Sequence, residues 1–310
     1  MLARMFHPVL VLWRFSRPHT IIGSLFSVSA LFLLAISEIP GWDSARALLG
    51  IATLAACLAC NMFITGLNQW ADVELDKINK PWLPIPSGQI SARQALVLCL
   101  ACLFISLGIA LWLSVYFCSL IALISLIGAV YSLPPIKFKK HHLGAAAAIS
   151  LVRGLLVNLG IFLHFRHALG GSFSIPPFLW PLTAFIFFFS LAIAWFKDIP
   201  DSTGDAAFKI RTVAVQYSRQ AALKLGLWFV ALSYFGLGYC FSMGFLTPQV
   251  GWVAAAHIGA GTSFLVLGYR LNVRSNKAVH RFYMGFWGLF FLEYLLYTLG
   301  IWWPHLMTAQ

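Results

Sequence analysis

Acidic residues are scarce in this chain: Asp and Glu number only 9 among 310 residues. Charged residues of both signs make up 10% of the chain, against roughly 25% in an ordinary soluble domain. These shortages exclude a water-soluble globular protein, and the 60% hydrophobic content excludes intrinsic disorder. No polar linker or change of composition divides the chain, so residues 1–310 read as a single membrane-embedded domain. The alternating segments of about ten residues that a transmembrane β-barrel requires are also missing. Cysteines are few. Cys57 and Cys60, like Cys99 and Cys102, lie two apart within apolar runs that offer no polar shell, so they read as packing residues rather than zinc ligands. Cys118 and Cys240 add no disulfide framework.

What recurs instead is the apolar run of about twenty residues, the signature of an all-α, polytopic membrane protein. Nine transmembrane helices are expected, at about 20–37, 47–67, 93–112, 114–133, 143–164, 178–197, 221–243, 248–269 and 282–303. Turn residues separate several of them, around Gly41, Pro134-Pro135, Gly170-Gly171 and Pro176-Pro177. The third and fourth form almost one continuous run. Residues 1–17 do not read as a signal peptide, because the apolar core is short, Arg14 and Arg17 follow it, and no small-residue cleavage site is present. Phe6 to Phe15 is expected to lie along the membrane surface with Trp13 as an interfacial anchor.

The net charge of +12 does not indicate a nucleic-acid binder, because the basic residues sit in short segments between apolar runs rather than in one patch. They fall on alternate connections: Arg4, Arg14 and Arg17; Lys77, Lys80 and Arg93; Lys137, Lys139 and Lys140; Lys197, Lys209, Arg211, Arg219 and Lys224; Arg270, Arg274, Lys277 and Arg281. The opposite connections hold only Arg46 and Arg166. Cytoplasmic loops accumulate Lys and Arg, so the N-terminus is expected inside and the C-terminus outside.

Six of the nine acids occupy two short windows on that basic face, Asp72, Glu74 and Asp76 after the second span and Asp198, Asp201 and Asp205 after the sixth. On a helix, Asn68, Asp72 and Asp76 share one face while Glu74 points elsewhere. Asp198, Asp201 and Asp205 form a second stripe if the turn at Pro200 stays helical; Pro200 alternatively ends the helix and presents the last two carboxylates from a loop. Five aspartates brought together repel unless a cation intervenes. Hard cations with oxygen ligands meet that need, and Mg²⁺ keeps positions open for phosphate oxygens. No Cys or His accompanies the windows, which argues against zinc or iron. The plain alternative for one window is a solvated acidic loop; two windows with matching spacing on one face favour a site. Lys77, Lys80, Lys197, Lys209 and Arg211 either pair with the acids or contact a diphosphate, and spacing alone does not decide between these.

These windows resemble the two signatures of the UbiA-type intramembrane aromatic prenyltransferases: Asn68-x3-Asp72-x3-Asp76, and Lys197-Asp198-x2-Asp201-x2-Gly204-Asp205. The segments Trp13–Thr20, Asn68-Gln69, Ile78–Pro81, Phe196–Asp201 and Phe291–Tyr297 are similar to the homogentisate prenyltransferase branch of tocopherol and plastoquinone synthesis. The resemblance covers essentially the whole chain. It implies a helical bundle around a central cavity in a bacterial (for example cyanobacterial) or plastid membrane, with homogentisate and a prenyl diphosphate, phytyl first, as substrates. It further implies that Asp72, Asp76, Asp198, Asp201 and Asp205, with Asn68, hold Mg²⁺ against the diphosphate, and that ring attack is accompanied by loss of CO₂. Tyr131 with Lys137 resembles a family Tyr–Lys pair, and Lys139 competes with Lys137 for that role. Arg17, Lys77, Lys80, Arg153, Asn158 and Lys197 complete the implied substrate contacts. Arg153 and Asn158 lie within the fifth span, where ionisable and polar groups either face a cavity or bond between helices. The rival donors are geranylgeranyl and solanesyl diphosphate; the rival acceptors are 4-hydroxybenzoate and a chlorophyllide. A rival from another class is a secondary transporter, although transporters place coupling charges near the midplane. His141-His142 reads as part of a loop, and the role of Glu293, a lone acid in the last span, stays open.

Overall fold

The computed structural model describes residues 2–39, 41–244 and 251–308. Thirteen α-helices run through them, with no β-strand among the described residues: α1 (Leu2–Phe15), α2 (Pro18–Glu38), α3 (Ser44–Ala71), α4 (Val73–Asn79), α5 (Ala92–Leu113), α6 (Val115–Ser132), α7 (His142–Ser150), α8 (Phe162–Ala168), α9 (Leu179–Ala207), α10 (Val213–Gln216), α11 (Arg219–Ser242), α12 (Gly251–Tyr269) and α13 (Asn276–Thr308). A π-helical stretch, Leu151–Ile161, fuses α7 and α8 into one rod. Nine of the described helices, counting that rod once, are long and apolar enough to cross a membrane. They coincide with the nine expected spans; residues 248–250 of the eighth expectation lie outside the described residues.

Local chemistry sets the boundaries. Pro18 opens α2, where its missing N–H costs nothing. Asp43 caps α3 through the Arg46 amide at 2.8 Å, and Ser91 with Gln94 forms a reciprocal capping box on α5. The near-continuous third and fourth spans are parted by Ser114 alone. Its backbone is extended, and its hydroxyl accepts from the Phe117 amide at 3.0 Å, ending one helix and starting the next. The sixth span outruns its expected end by ten residues, because α9 remains helical through Pro200 to Ala207. Of the two readings for Pro200, the helical one is therefore observed. The second span also outruns its expected end, by four residues, because α3 runs to Ala71; the helix expected to carry Asn68, Asp72 and Asp76 on one face is then interrupted, with Asp72 at the joint between α3 and α4.

α9 is the most enclosed span. Phe189 stacks on Phe286 of α13 with ring centroids 4.0 Å apart, and Phe196 meets Phe286 edge-on at 4.9 Å. Outward-facing residues are apolar as well, Phe104, Trp112 and Val115 among them, as expected of a surface solvated by lipid. Trp13 is exposed on α1 in keeping with an interfacial anchor, while Phe15 turns fully inward. A second interior tie is polar. His257 of α12 lies 2.8 Å from Glu293 of α13 through Nδ1, and its Nε2–H donates to the Tyr234 carbonyl of α11 at 2.9 Å. Because a carbonyl only accepts, Nε2 carries a proton and Nδ1 shares one further proton with Glu293. The lone acid of the last span thus fastens three helices.

The connections at one end are stitched together. The Arg211 amide donates to the Lys140 carbonyl at 2.9 Å, and the His142 amide to the Arg211 carbonyl at 3.1 Å, tying the loop before α7 to the loop after α9. Arg219 donates to Ser202 at 2.8 Å and to Asn276 at 2.9 Å, joining α9, α11 and α13. Both acidic windows lie at this end.

Candidate active site

A cavity opens among α2, α3, α6, the α7–α8 rod, α9 and α13. Most of its wall is aliphatic or aromatic, including Val28, Ile64, Ile124, Val157, Ile193 and Phe290, but one end is charged. Asn68, Asp72, Asp76, Asp198, Asp201 and Asp205 all line it, together with Arg17, Lys80, Tyr131, Arg153 and Lys197. The two windows, more than a hundred residues apart in sequence, therefore share one chamber.

Each carboxylate meets a different cation or donor. Asp72 pairs with Lys139 and lies 3.5 Å from Lys137; Asn68 donates to it at 3.3 Å. Arg17 approaches Asp76 at 3.8 Å, with its backbone at φ +52 just ahead of α2. Lys80 binds Asp201 and sits 3.9 Å from Asp76. Lys197 lies 3.7 Å from Asp198 and donates to the Tyr131 hydroxyl at 2.5 Å. Asn79 donates to Asp205 at 3.4 Å and accepts from the Gly204 amide at 2.9 Å. A Cβ at Gly204 would drive into the Asn79 side chain, so the glycine of the second signature lets α4 dock on α9. Burial pushes the Asp76 carboxyl above the usual carboxylate range, against the pull of Arg17 and Lys80. Burial likewise brings the Lys139 ammonium down to about 8, against the pull of Asp72. Charge is crowded here and poorly solvated.

The donor set suits a hard divalent cation. Five carboxylates face one chamber, and the buried Asp76 Oδ2 has no hydrogen-bond partner. Among the described residues no three acids, histidines or cysteines converge into a ready-made metal cage. The carboxylates are spread among lysines instead, a spacing compatible with Mg²⁺, which takes one or two carboxylates and leaves its other positions to phosphate and water.

Three expectations need correction. Lys77 does not face the chamber: it points outward and pairs with exposed Glu74 at 2.7 Å, one turn along the same side of α4. Neither Lys137 nor Lys139 partners Tyr131, whose hydroxyl takes Lys197; both lie beside Asp72, and Lys139 is the closer of the two. Lys137 adopts a left-handed backbone (φ +48) and the tight turn Phe138–Lys140 follows, so Lys139 is the lysine that is buried and lines the cavity. Asn158 is fully buried outside the cavity wall. Its amide donates to the carbonyls of Arg153 and Gly154, both at 3.0 Å, and its oxygen accepts from Tyr294 at 2.8 Å, which fixes the π-helical stretch against α13. Arg153, in contrast, reaches the cavity and lies 4.8 Å above the Trp287 ring. His19, Asn61, Tyr283 and Trp287 are wall residues that the spacing of charges did not reveal. Cys57 and Cys60 also reach the wall; Cys60 Sγ is 3.4 Å from the Ser125 hydroxyl.

The chain is similar to known proteins in sequence and in fold. Homogentisate phytyltransferase of Synechocystis sp. is 38% identical over 94% of this chain and 96% of its own length. Homogentisate geranylgeranyltransferase of Hordeum vulgare is 34% identical, covering 92% of this chain and 71% of the relative. A solved structure of a UbiA homolog from Archaeoglobus fulgidus bound to GPP and Mg²⁺ superposes with a TM-score of 0.66 at 19% identity, over 94% of this chain and 99% of that one, and so shares the fold. The sequence pattern of the UbiA prenyltransferase family matches residues 24–301, and the chain belongs to that family.

Proposed function

We propose that this protein transfers a prenyl group, phytyl first, from its diphosphate to the ring of homogentisate, with loss of the acetate carboxyl as CO₂. One observation carries the reading: two acidic windows and three lysines gather at one end of an otherwise apolar cavity. That shape suits an amphiphile with an anionic head and a hydrocarbon tail. A tail of about twenty carbons gains roughly 0.8 kcal/mol for each CH₂ kept out of water, so a membrane-embedded chamber avoids a prohibitive extraction. The names of the Synechocystis and Hordeum relatives support homogentisate as acceptor, and the second keeps geranylgeranyl in play as donor.

In this reading Asp72, Asp76, Asp198, Asp201 and Asp205 hold Mg²⁺, with Asn68 orienting Asp72. The ion, when bound, supplies charge that stabilises the diphosphate as the allylic C–O bond ionises. Lys80, Lys139, Lys197 and Arg17 add fixed positive charge around the same oxygens. Tyr131 holds the Lys197 ammonium in place. Trp287, Tyr283 and Phe290 offer ring faces to the allylic cation, each worth about 0.5–2 kcal/mol. The distribution of Lys and Arg supports an N-terminus and charged end on the cytoplasmic or stromal side of a bacterial or plastid membrane. A transporter reading is weakened because the acids gather at one end rather than at the midplane.

The test is a competition. Purified protein with Mg²⁺ and homogentisate receives phytyl, geranylgeranyl and solanesyl diphosphates together, and the products are identified by mass. Prenylated, decarboxylated homogentisate carrying mainly the phytyl chain is expected. No such product from any donor would overturn the proposal.

A further inference from the structure

His19 lies in the first turn of α2 and lines the cavity, yet among the described residues neither of its ring nitrogens has a hydrogen-bond partner. Its ring is nonetheless held in place. It packs on Trp287 with centroids 4.9 Å apart and meets Tyr283 at 6.1 Å. One turn later Gly23 makes room for Trp287, since a Cβ there would stand 3.0 Å from the indole. The turn itself is pinned to α3: Thr20 donates to Asn61 at 3.0 Å, and Asn61 returns hydrogen bonds to the Thr20 carbonyl at 3.0 Å and to Ser24 at 2.6 Å. A polar ring is thus fixed beside the aromatic wall with its proton-bearing edge left free.

The proposed reaction needs a base at that place. The C–O bond of the prenyl diphosphate breaks and its electron pair leaves with the diphosphate. A π pair of the acceptor ring then forms the new C–C bond, and aromaticity returns only when the C–H pair of the prenylated carbon falls back into the ring and the proton departs. The aspartates of the chamber are assigned to the metal and are flanked by lysines, Arg17 or Asn79. Arg153 cannot accept a proton, and the phenols of Tyr283 and Tyr294 are already protonated. The neutral imidazole of His19 keeps a nitrogen lone pair open to the cavity, and the prenylated ring cation, a far stronger acid than an imidazolium, can give up its proton to it. The proton is also wanted again: when CO₂ leaves, the bond pair left on the methylene carbon captures one proton to give a methyl group.

We propose that His19 is the base that takes the ring proton from the freshly prenylated carbon and keeps it within the cavity. This inference rests on homogentisate as the acceptor. The experiment compares wild type, His19→Gln and His19→Ala with phytyl diphosphate and either ordinary or ring-deuterated homogentisate, with binding of the prenyl diphosphate measured alongside. The expected outcome for His19→Gln is retained diphosphate binding, a fall in kcat of about 10²-fold, and a primary isotope effect that wild type lacks. Added imidazole should restore part of the rate to His19→Ala. A His19→Gln enzyme at wild-type rate, or one slowed without an isotope effect, would overturn the proposal and leave the departing diphosphate as the base. A wild-type enzyme that makes no product from homogentisate would instead remove the acceptor assignment on which the proposal stands.

Discussion

Asp76 and Asp201, one from each acidic window, share the ammonium group of Lys80. The contact joins α4 to α9 at the charged end of the cavity, which Asp72 also lines, so any of these three carboxylates can be removed without touching the hydrophobic interior. Asp201→Ala and Asp72→Ala are expected to abolish turnover while membrane insertion persists. Product analysis on the membrane fraction, with the amount of inserted protein measured in the same fraction, checks this. Full activity in either variant would remove the metal assignment.

Metal withdrawal gives a second prediction. The uncapped Asp76 oxygen and the surrounding carboxylates should take up a divalent ion only with a phosphate to complete its shell. Exhaustive chelation is expected to stop product formation, and excess Mg²⁺ to restore it. An undiminished rate in chelator would show that lysine charge alone suffices.

The lysines can be told apart by substitution. Lys139→Ala removes a buried cation beside Asp72 and should lower kcat/KM by about 10²-fold, the usual cost of one preorganised donor. Lys77→Ala removes only an exposed pair with Glu74 and should stay within about twofold of wild type. Steady-state assays on both variants decide the matter; equal losses would put Lys77 back in the site.

Asn158 should behave as a stabilising residue. Asn158→Leu leaves two backbone carbonyls and the Tyr294 hydroxyl without their partner in a buried setting, at about 1–3 kcal/mol for an unsatisfied group. A lower thermal midpoint with unchanged prenyl diphosphate affinity is expected. Loss of that affinity at an unchanged midpoint would argue for direct contact.

Much of this was readable before any coordinates. Hydropathy placed the spans because lipid leaves the backbone no alternative to helix, and the scarcity of acids made their clustering conspicuous. Lys77 is the miss that spacing could have prevented: it stands three residues after Glu74, on the side that Asn68, Asp72 and Asp76 do not use. The choice between Lys137 and Lys139 was not legible, since one left-handed residue decides which lysine turns inward. Nor could the partner of Glu293 be read, because His257 lies 36 residues away and only packing brings them together. His19 escaped for a related reason: its surroundings come from α13, at the far end of the chain.

The order in which the chain is made meets the site out of sequence. Asp72 is synthesised 67 residues before Lys139, and Lys80 emerges 121 residues before Asp201. Until Lys139 is made Asp72 lacks this partner, and until α9 enters the bilayer Lys80 lacks Asp201, while in hydrocarbon an unpaired charge is very costly. Their position at the rim lets water and headgroups solvate them during biogenesis, so the catalytic end assembles late while the apolar shafts settle first.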